Sequence, residues 1–329
     1  MKLSIVTTLY RSAATIEQFY RRAMTAAEAL FTEVEMVIVN DGSPDNSLDL
    51  ALALHRRDPR VVVVDLARNF GHYKAMMTGL AHAGGDLVFL IDSDLEEQPE
   101  DLALFHQRFA QGDSDVVYGI QRSRRGGLIE RIGGAIFFAL VNALGDRPLP
   151  RNLVTARLMT SEYVKALIRH RDREFVISDL WQQTGFRQNE IVVEKLSSSP
   201  STYSLWMRVD LAVKHLTTSS TRLLYLVFYT GLLIFLASIG MIGFFLLRYV
   251  TVGIGVSGFA SQIISIWFFG GLITLMLGIL GIYMASILAE TKRRPYTVVR
   301  RIHRTRDVDT AAAPKLASCT SPANADTSQ

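Results

Sequence analysis

The sequence has one cysteine among 329 residues and lacks the motifs of several common classes of binding protein. Because Cys319 is alone, no disulfide can form within one chain, and no Cys/His spacing indicates a zinc site. No Gly-x-Gly-x-x-Gly follows the first predicted strand, which argues against a dinucleotide-dependent oxidoreductase. The net charge is only +4, and basic residues near the C-terminus account for most of it, so nucleic-acid binding has no support.

Charge is absent from two long stretches in the C-terminal third of the chain. Residues 223–247 carry no charged side chain, and a second uncharged stretch covers 249–289. At about 1.5 Å per helical residue, either is long enough to cross the roughly 30 Å hydrocarbon core of a bilayer. Buried helices of a soluble core are the alternative, but neither stretch has the polar stripe of such a helix. The sequence therefore predicts two transmembrane helices, near 223–247 and 263–288.

The flanks of these stretches predict the orientation of the protein in the membrane. Basic residues precede the first span and are abundant after the second, whereas the short loop between them offers only Arg248 at its edge. The positive-inside rule then places both ends in the cytoplasm. Residues 1–10 lack the apolar segment and cleavage site of a signal peptide. We expect an integral protein of the cell (inner) membrane, with its N-terminal domain and C-terminus cytoplasmic.

Residues 1–200 alternate between strand-like and helix-like patterns. Continuous apolar strands indicate burial on both faces, and helices between them are the crossovers that parallel strands need. This predicts an α/β domain with a Rossmann-like, mostly parallel sheet. The predicted strands are 3–10, 35–41, 60–67, 86–94 and 115–121, and the predicted helices are 14–31, 46–57, 72–83 and 99–111.

The segments that connect this domain to the membrane are predicted to be amphipathic. Residues 126–144 and 203–220 carry apolar side chains at helical spacing, which favours helices in the membrane interface, although ordinary core helices are the alternative. The predicted organisation is a catalytic domain followed by an interfacial helix at 201–222, two spans within 223–290, and a basic juxtamembrane segment with a disordered tail at 291–329. The basic segment can bind anionic lipid headgroups.

The motif "FLIDSDLEEQPE" at 89–100 places a cluster of acids after an apolar strand. Clustered carboxylates repel one another unless a cation lies among them. Asp92 and Asp94 are two residues apart and would lie on one face of a strand, and Glu96 could join them as a ligand of Mg²⁺ or Mn²⁺. A diphosphate is the natural partner of such an ion. An acidic helix start explains the later acids but leaves Asp92 and Asp94 unexplained.

Other polar residues follow the remaining predicted strands, where ligands of parallel sheets bind. Asp41 could accept hydrogen bonds from a nucleobase or ribose, whereas an Asx turn is favoured for Asp45. Arg68 and Lys74 could face a phosphate, with a solvated helix start as an equal alternative. His72 and His82 do not have metal-ligand spacing and are interpreted as structural or surface residues.

Several motifs occur in a fixed order along the chain: "LSIVTTLY", "VIVNDGSPDNS", "RNFGHYKA" and "FLIDSDLEEQPE", then "ARLMTSEYVKAL", two spans and "LGIYMASILAETKRRPYTVVR". Over residues 3–302 the sequence resembles the family 2 glycosyltransferases with the GT-A fold. It is most similar to the membrane-bound polyprenyl-phosphate glycosyltransferases, which include dolichol-phosphate mannose synthases and bacterial undecaprenyl-phosphate glucosyltransferases. The resemblance implies inverting sugar transfer from a nucleotide-sugar to a polyprenyl phosphate, with undecaprenyl phosphate expected, at the cytoplasmic membrane face.

The resemblance also implies roles for individual residues. Asp92 and Asp94 would hold the metal on the donor diphosphate, with Glu96 where the family more often has glutamine. Residues of the first and second strand ends would hold the nucleoside, namely Thr8, Leu9, Tyr10 and Asp41. Arg157 matches an arginine of the family motif and would bind donor or acceptor phosphate, and Arg125 could join it.

Thr155 departs from the family pattern, which usually has aspartate at this position. If that aspartate were an obligatory base, the chain would be an inactive membrane scaffold, which is one alternative. However, a phosphate monoester with a second pKa of about 6 already arrives as an anion at neutral pH, so it needs positioning more than deprotonation. A processive polysaccharide synthase is the other alternative, but its Gln-x-x-Arg-Trp motif is absent. Glycines at 270, 271, 278 and 281 permit close helix packing, so a homo-oligomer is a further prediction.

Overall fold

The structure is a computed structural model that describes residues 1–121, 153–170, 175, 177–195, 222–252, 259–292 and 294–305. Strands and helices alternate through the first part of the chain. The strands are β1 (Lys2–Leu9), β2 (Glu33–Asn40), β3 (Val61–Leu66), β4 (Leu87–Leu90), β5 (Val116–Ile120), β6 (Leu153–Thr160), β7 (Gln188–Val192) and β8 (Val299–His303). The helices are α1 (Ile16–Glu28), α2 (Ser47–Arg57), α3 (His72–His82), α4 (Leu102–Phe109), α5 (Ser161–Ile168), α6 (Ile177–Gln183), α7 (Arg222–Val252) and α8 (Phe259–Thr291), and a short 3₁₀ helix, Pro99–Asp101, precedes α4.

All eight strands form one sheet with the order β7-β5-β6-β4-β1-β2-β3-β8. The centre is parallel, since β1 pairs in parallel with both β2 and β4, and β2 pairs in parallel with β3. Antiparallel pairs lie on both sides of this centre, where β6 joins β4 and β5, and β8 joins β3. The predicted α/β class with a mostly parallel sheet is therefore confirmed for the central strands.

Apolar layers cover both faces of the sheet. Successive side chains of β1 alternate between them, with Ile5 in one layer and Val6 in the other. Phe19 of α1 belongs to the first layer and Met76 of α3 to the second. Helix α3 approaches the sheet closely, because a Cβ on Gly79 would lie 2.6 Å from a methyl carbon of Val6. This double burial explains the continuous apolar strands.

The structure differs from the predicted elements in two ways that matter for function. Strand β4 ends at Leu90 rather than at residue 94, so the following acids lie in a turn. Strands β6, β7 and β8 were not predicted. Residues 299–303 of the predicted basic juxtamembrane segment form β8, an edge strand of the sheet. Short edge and antiparallel strands carry a weaker sequence signal than the buried central strands.

Two long helices, α7 and α8, lie at the predicted spans. Within the described part of the chain, one helical segment is long and apolar enough to cross a membrane, namely Phe268–Leu288, with a mean hydropathy of 2.1 and none of it buried. The first predicted span, near 223–247, stays a prediction. The predicted amphipathic segments 126–144 and 203–220 lie outside the described residues, as does the predicted tail after residue 305.

Candidate active site

The sequence-predicted site residues converge at the carboxyl ends of the central strands. Because β1 lies between β4 and β2, the carboxyl ends of these three parallel strands lie side by side along one side of the sheet. Tyr10 follows β1, Asp41 follows β2, Arg68 follows β3 and Asp92 follows β4. A ligand bound at this edge would touch four different loops, which is the usual arrangement in open α/β sheets.

Asp92 is positioned by a residue of the neighbouring antiparallel strand. Leu90 of β4 lies opposite Arg157 of β6, so continuing the register by two residues brings Asp92 beside Thr155. The Thr155 hydroxyl donates a hydrogen bond of 2.8 Å to Oδ2 of Asp92. The side chain that departs from the family pattern therefore orients the first predicted metal ligand.

The other carboxylate oxygen of Asp92 faces a histidine that the sequence interpretation treated as structural or surface. Oδ1 of Asp92 is buried without a hydrogen bond and lies 3.3 Å from Nε2 of His72. Nδ1 of the same ring lies 3.1 Å from the Thr8 hydroxyl, so His72 connects the ends of β4 and β1. No spacing signal along the chain could have revealed this contact, because it depends on how the two strand ends meet.

Asp94 lies in a strained turn rather than on a strand face. Leu95 has φ 62°, a left-handed conformation that is unusual for a residue with a branched side chain. This turn lets the backbone N–H of Glu96 donate to Oδ1 of Asp94 at 2.9 Å. The expectation that strand geometry aligns Asp92 and Asp94 is corrected, because the turn after β4 places Asp94.

Glu96, a predicted metal ligand, has a basic partner in the structure. Its carboxylate forms an ion pair of 2.7 Å with Nζ of Lys195, a residue that the sequence interpretation missed. Burial alone would lower the pKa of Lys195, but Glu96 and the nearby acids raise it overall, so the ammonium group stays charged. Lysine therefore neutralises this carboxylate in the structure, and the assignment of Glu96 as a metal ligand stays a prediction.

A divalent cation fits this site only with help from a substrate. Within the described part of the chain, no group of three His, Cys, Asp or Glu side chains is arranged to hold a metal ion. Mg²⁺ commonly takes one or two carboxylates together with substrate phosphates, and Mn²⁺ also prefers oxygen ligands. Asp92, with its buried oxygen that lacks a hydrogen bond, and the exposed Asp94 meet that requirement.

Glu97 connects β6 to the acidic turn, which is the segment after β4 that carries Asp92, Asp94, Glu96 and Glu97. Its two carboxylate oxygens accept hydrogen bonds of 2.8 Å from the backbone N–H groups of Thr155 and Ala156. Burial and the nearby Asp92 carboxylate raise the pKa of Glu97 to about 7 despite these hydrogen bonds. The acid therefore titrates in the neutral range while it holds the segment that orients Asp92.

The raised pKa of Glu97 predicts a stability that falls with increasing pH. The folded state binds the Glu97 proton more tightly than the unfolded state, so this stabilisation is complete below the ordinary glutamate pKa and is lost as pH rises through about 7. In metal-free buffer, we expect the free energy of unfolding of the native protein to fall between acidic and mildly alkaline pH. The fall should exceed that of Glu97→Gln over the same range by on the order of 3 kcal/mol. Denaturant titrations across this range would contradict the prediction if the two proteins gave parallel curves.

Arg157 is buried beneath the site, and its assignment as a phosphate ligand stays a prediction. The residue is 1% exposed, its guanidinium donates to the carbonyl oxygens of Thr155 and Val154, and it lies over the ring of Trp181. Burial lowers the pKa of Arg157 to about 9, so it remains cationic at neutral pH. In this arrangement the guanidinium supports the strand that carries Thr155 and is not accessible to a substrate phosphate.

Both carboxylate oxygens of Asp41 take part in hydrogen bonds within the fold, and its predicted role in holding the nucleoside stays a prediction. They accept hydrogen bonds of 2.7 and 3.0 Å from the backbone N–H groups of Phe70 and Gly71. Burial raises the pKa of Asp41, which is 2% exposed. Gly42 has φ 59°, and a Cβ there would lie 2.4 Å from the backbone nitrogen of Asn69. Asp41 therefore clamps two strand-end loops together.

The remaining predicted donor contacts lie at the same edge with differing exposure. Tyr10 is exposed and Thr8 is nearly buried beside His72, whereas the side chain of Leu9 is wholly in the core and cannot contact a nucleotide. Arg68 is exposed and lies over the ring of Phe70. Lys74 lies in the first turn of α3. Thr8, Tyr10, Arg68 and Lys74 stay predictions, and Arg125 lies outside the described residues.

Comparison with known proteins decides the family. The profile described as Glycosyl transferase family 2 matches residues 4–167, which contain the whole acidic turn and Thr155. A Mycobacterium tuberculosis protein with a glycosyltransferase name is 45% identical, over 92% of this chain and 89% of the relative. The chain belongs to glycosyl transferase family 2. It is a glycosyltransferase, and family membership favours an enzyme over the inactive-scaffold alternative.

Other relatives of this glycosyltransferase have more specific names. The Escherichia coli prophage bactoprenol glucosyl transferase homolog is 30% identical, over 92% of this chain and 99% of the relative. The bactoprenol glucosyl transferase of Shigella phage SfII is 31% identical with the same coverage. The similarity therefore extends beyond the domain that the family profile matches and includes the hydrophobic helices.

The contact between Thr155 and Asp92 predicts an effect on activity. Thr155→Val keeps the shape of the side chain but loses the hydrogen bond to the Asp92 carboxylate. A hydrogen bond to a charged group contributes about 1.5–3 kcal/mol, so we expect kcat/KM for glycosyl transfer to fall at least about tenfold. Thr155→Ser keeps the hydroxyl and should stay close to the native rate. Steady-state assays of all three proteins test this, and a fully active valine variant would show that the hydroxyl is dispensable.

Proposed function

We propose that this glycosyltransferase transfers a sugar from a nucleotide-sugar to a polyprenyl phosphate, with undecaprenyl phosphate as the expected acceptor. The reaction occurs at the cytoplasmic face of the inner membrane and gives a lipid-linked monosaccharide for glycan or cell-surface polysaccharide modification. The observation that carries this proposal is the similarity, over 99% of their own lengths, to relatives named for bactoprenol glucosyl transfer.

The acidic turn supplies the donor end of the reaction. Asp92 and Asp94 would hold Mg²⁺ or Mn²⁺, and such an ion supplies neutralisation of the charge that develops on the leaving nucleoside diphosphate. Thr155 holds the Asp92 carboxylate in a fixed orientation through its 2.8 Å hydrogen bond. Lys195 keeps Glu96 neutralised, which limits the net negative charge that a diphosphate meets at this edge.

The acceptor end needs no dedicated base. A polyprenyl phosphate is a monoester with a second pKa of about 6, so its oxygen is an anion at neutral pH and can attack the anomeric carbon directly. Attack opposite the leaving diphosphate inverts the anomeric configuration. The threonine at position 155 is compatible with this chemistry because orientation and charge neutralisation, rather than proton removal, limit such a nucleophile.

The hydrophobic helices account for access to the lipid acceptor. Phe268–Leu288 is apolar enough to span the bilayer, and we propose that α7 forms a second span. Basic residues on both flanks of this pair support a position of the domain on the cytoplasmic side. Lipid-linked phosphate lies at headgroup height, so a domain held at the membrane surface meets its acceptor without extracting the lipid chain.

The test is a transfer assay with the purified full-length protein in detergent. The protein is incubated with Mg²⁺ or Mn²⁺, a panel of nucleotide-sugars and undecaprenyl phosphate, and the lipid fraction is examined by mass spectrometry for an added hexose or other sugar. We expect one donor to give a metal-dependent product that chelator abolishes. Absence of a glycosylated lipid with every donor and both metals would refute the proposed acceptor.

A further inference from the structure

We infer that Arg300, in the strand that follows the second hydrophobic helix, is a positioning residue for the donor side of the active site. It acts through two loops at the strand ends, residues 40–43 and 67–71, which we call the paired loops. The inference rests on the proposed function for its kinetic consequence, because it assumes that the donor nucleotide binds at these loops. Nothing in the sequence pattern of the basic C-terminal segment indicated such a role.

Strand β8 is a component of the catalytic sheet although it lies far along the chain from its partner. It runs antiparallel to β3, with His303 opposite Val63 and Arg301 opposite Asp65. The pairing continues beyond the strand, because the backbone N–H of Ala67 donates to the carbonyl oxygen of Val298 at 2.9 Å. The backbone immediately before Arg68 is thus fixed by the C-terminal segment.

The side chain of Arg300 strengthens this attachment at the same residue. Its guanidinium donates to the carbonyl oxygen of Ala67 at 2.7 Å and lies 3.5 Å from Oδ2 of Asp65. Both backbone groups of Ala67 are therefore held by the C-terminal segment. The chain continues into residues 68–71, and two backbone N–H groups of this stretch donate hydrogen bonds to the Asp41 carboxylate.

A buried polar chain carries the contact from Arg300 to the other paired loop. The Asn40 side-chain amide donates to Oδ1 of Asp65 at 2.8 Å, and its own oxygen accepts the backbone N–H of Ser43 at 3.2 Å. Asp65 is 4% exposed and Asn40 is 3% exposed, so these interactions are shielded from water. Arg300 thereby supports loop 67–71 directly and loop 40–43 through Asp65 and Asn40.

Apolar and hydroxyl contacts fix the same segment to α3 and the core. The hydroxyl groups of Thr297 and Thr78 lie 2.8 Å apart, and Tyr296 and Val299 pack against the apolar layer that Phe70 also joins. The segment therefore has a defined place on the domain, independent of the lipid contacts expected of a basic stretch. The geometry of the paired loops therefore depends on a segment that follows both hydrophobic helices in the sequence.

The test compares native protein with Arg300→Ala and with Arg301→Ala, all as full-length protein in detergent. Both arginines are exposed on the same strand, so the comparison isolates the contacts of Arg300 with Ala67 and Asp65. Hydrogen exchange measured by mass spectrometry reports the loops without requiring activity. We expect the amides of residues 40–45 and 67–72 to exchange about tenfold faster in Arg300→Ala, while those of the central β2 stay unchanged. Arg301→Ala should match the native protein throughout.

The kinetic arm separates positioning from general loss of structure. In Arg300→Ala we expect the KM for the nucleotide-sugar to rise about tenfold, while kcat and the KM for undecaprenyl phosphate stay within about twofold. Arg300→Lys keeps a positive charge near Asp65 but loses the planar guanidinium, so it should give intermediate KM and exchange values. It replaces Arg300→Ala in the comparison if the alanine variant folds poorly.

Three results would overturn the inference. The first is unchanged exchange and donor KM in Arg300→Ala, and the second is equal changes in Arg300→Ala and Arg301→Ala. The third is a lower kcat and a higher KM for both substrates with faster exchange throughout the sheet, because that pattern reports a purely structural strand. If the native protein transfers no sugar, the proposed function fails, and the exchange measurement still decides whether Arg300 positions the paired loops.

Discussion

Replacing Asp94 by asparagine is expected to lower kcat/KM for sugar transfer by about 10²–10³-fold. The side chain is exposed at the turn after β4. Among the described residues its Oδ1 accepts a hydrogen bond from the local N–H of Glu96, so we expect the folded structure not to depend on its charge. The amide keeps the shape but cannot provide a second negative oxygen ligand for the proposed cation. Initial rates at saturating and subsaturating Mg²⁺ or Mn²⁺ measure the effect.

Glu100→Gln is the matched control because it makes the same acid-to-amide change in the same acidic stretch. Glu100 is half exposed, lies in the 3₁₀ helix that follows the turn and forms a surface ion pair with Arg22. We expect this variant to keep native kinetics and to lose less than about 1 kcal/mol of stability. If Asp94→Asn kept native activity at every metal concentration, neither Asp94 nor a cation bound to it could be essential for transfer.

Replacing Arg157 by alanine is expected to reduce the free energy of unfolding by about 3–5 kcal/mol. The guanidinium fills a fully buried space between β6 and Trp181, donates to backbone carbonyl oxygens and lies in the field of the Glu97 carboxylate. Truncation leaves a cavity, carbonyl oxygens without their donor and a buried acid without a compensating charge. Thermal or denaturant unfolding of the purified protein measures the loss.

The same variant distinguishes the structural role from the role that the resemblance implied. Arg57→Ala, at an exposed position of α2, controls for removal of an arginine and should change stability by less than about 1 kcal/mol. A phosphate ligand would give a different pattern, with native stability and a raised KM for donor or acceptor. Observing that pattern in Arg157→Ala would require the guanidinium to leave its buried position when substrate binds.

The central strands and their crossover helices were predictable because their signals are local. Continuous apolar runs such as 35–41 are needed wherever a strand is covered on both faces, and β2 is buried along nearly its whole length. Strand β8 has no comparable signal, since a short basic segment with three consecutive exposed residues is equally typical of a juxtamembrane stretch. Its partner in β3 lies more than two hundred residues away, as the Arg300–Asp65 pair shows.

The candidate site was predictable in its acids but not in their surroundings. Asp92 and Asp94 are conspicuous because like charges follow an apolar strand. Lys195, which neutralises Glu96, comes from a segment after β7 that no motif connects to the acidic turn. His72, beside Asp92, was similarly invisible because spacing along the chain does not report distance between strand ends.

The sequence by itself determined the α/β class, the edge of the sheet at which ligands bind, the acidic turn and the apolar stretches, because each depends on residues that are close together in the chain. Only the tertiary structure decided how the polar groups of the site are buried and paired. Arg157 and Asp41 have the chemistry of ligand contacts, yet both are buried with their hydrogen-bonding groups used by neighbouring backbone. Burial and pairing depend on contacts between distant segments, and those contacts decide whether a charged side chain supports the fold or serves the reaction.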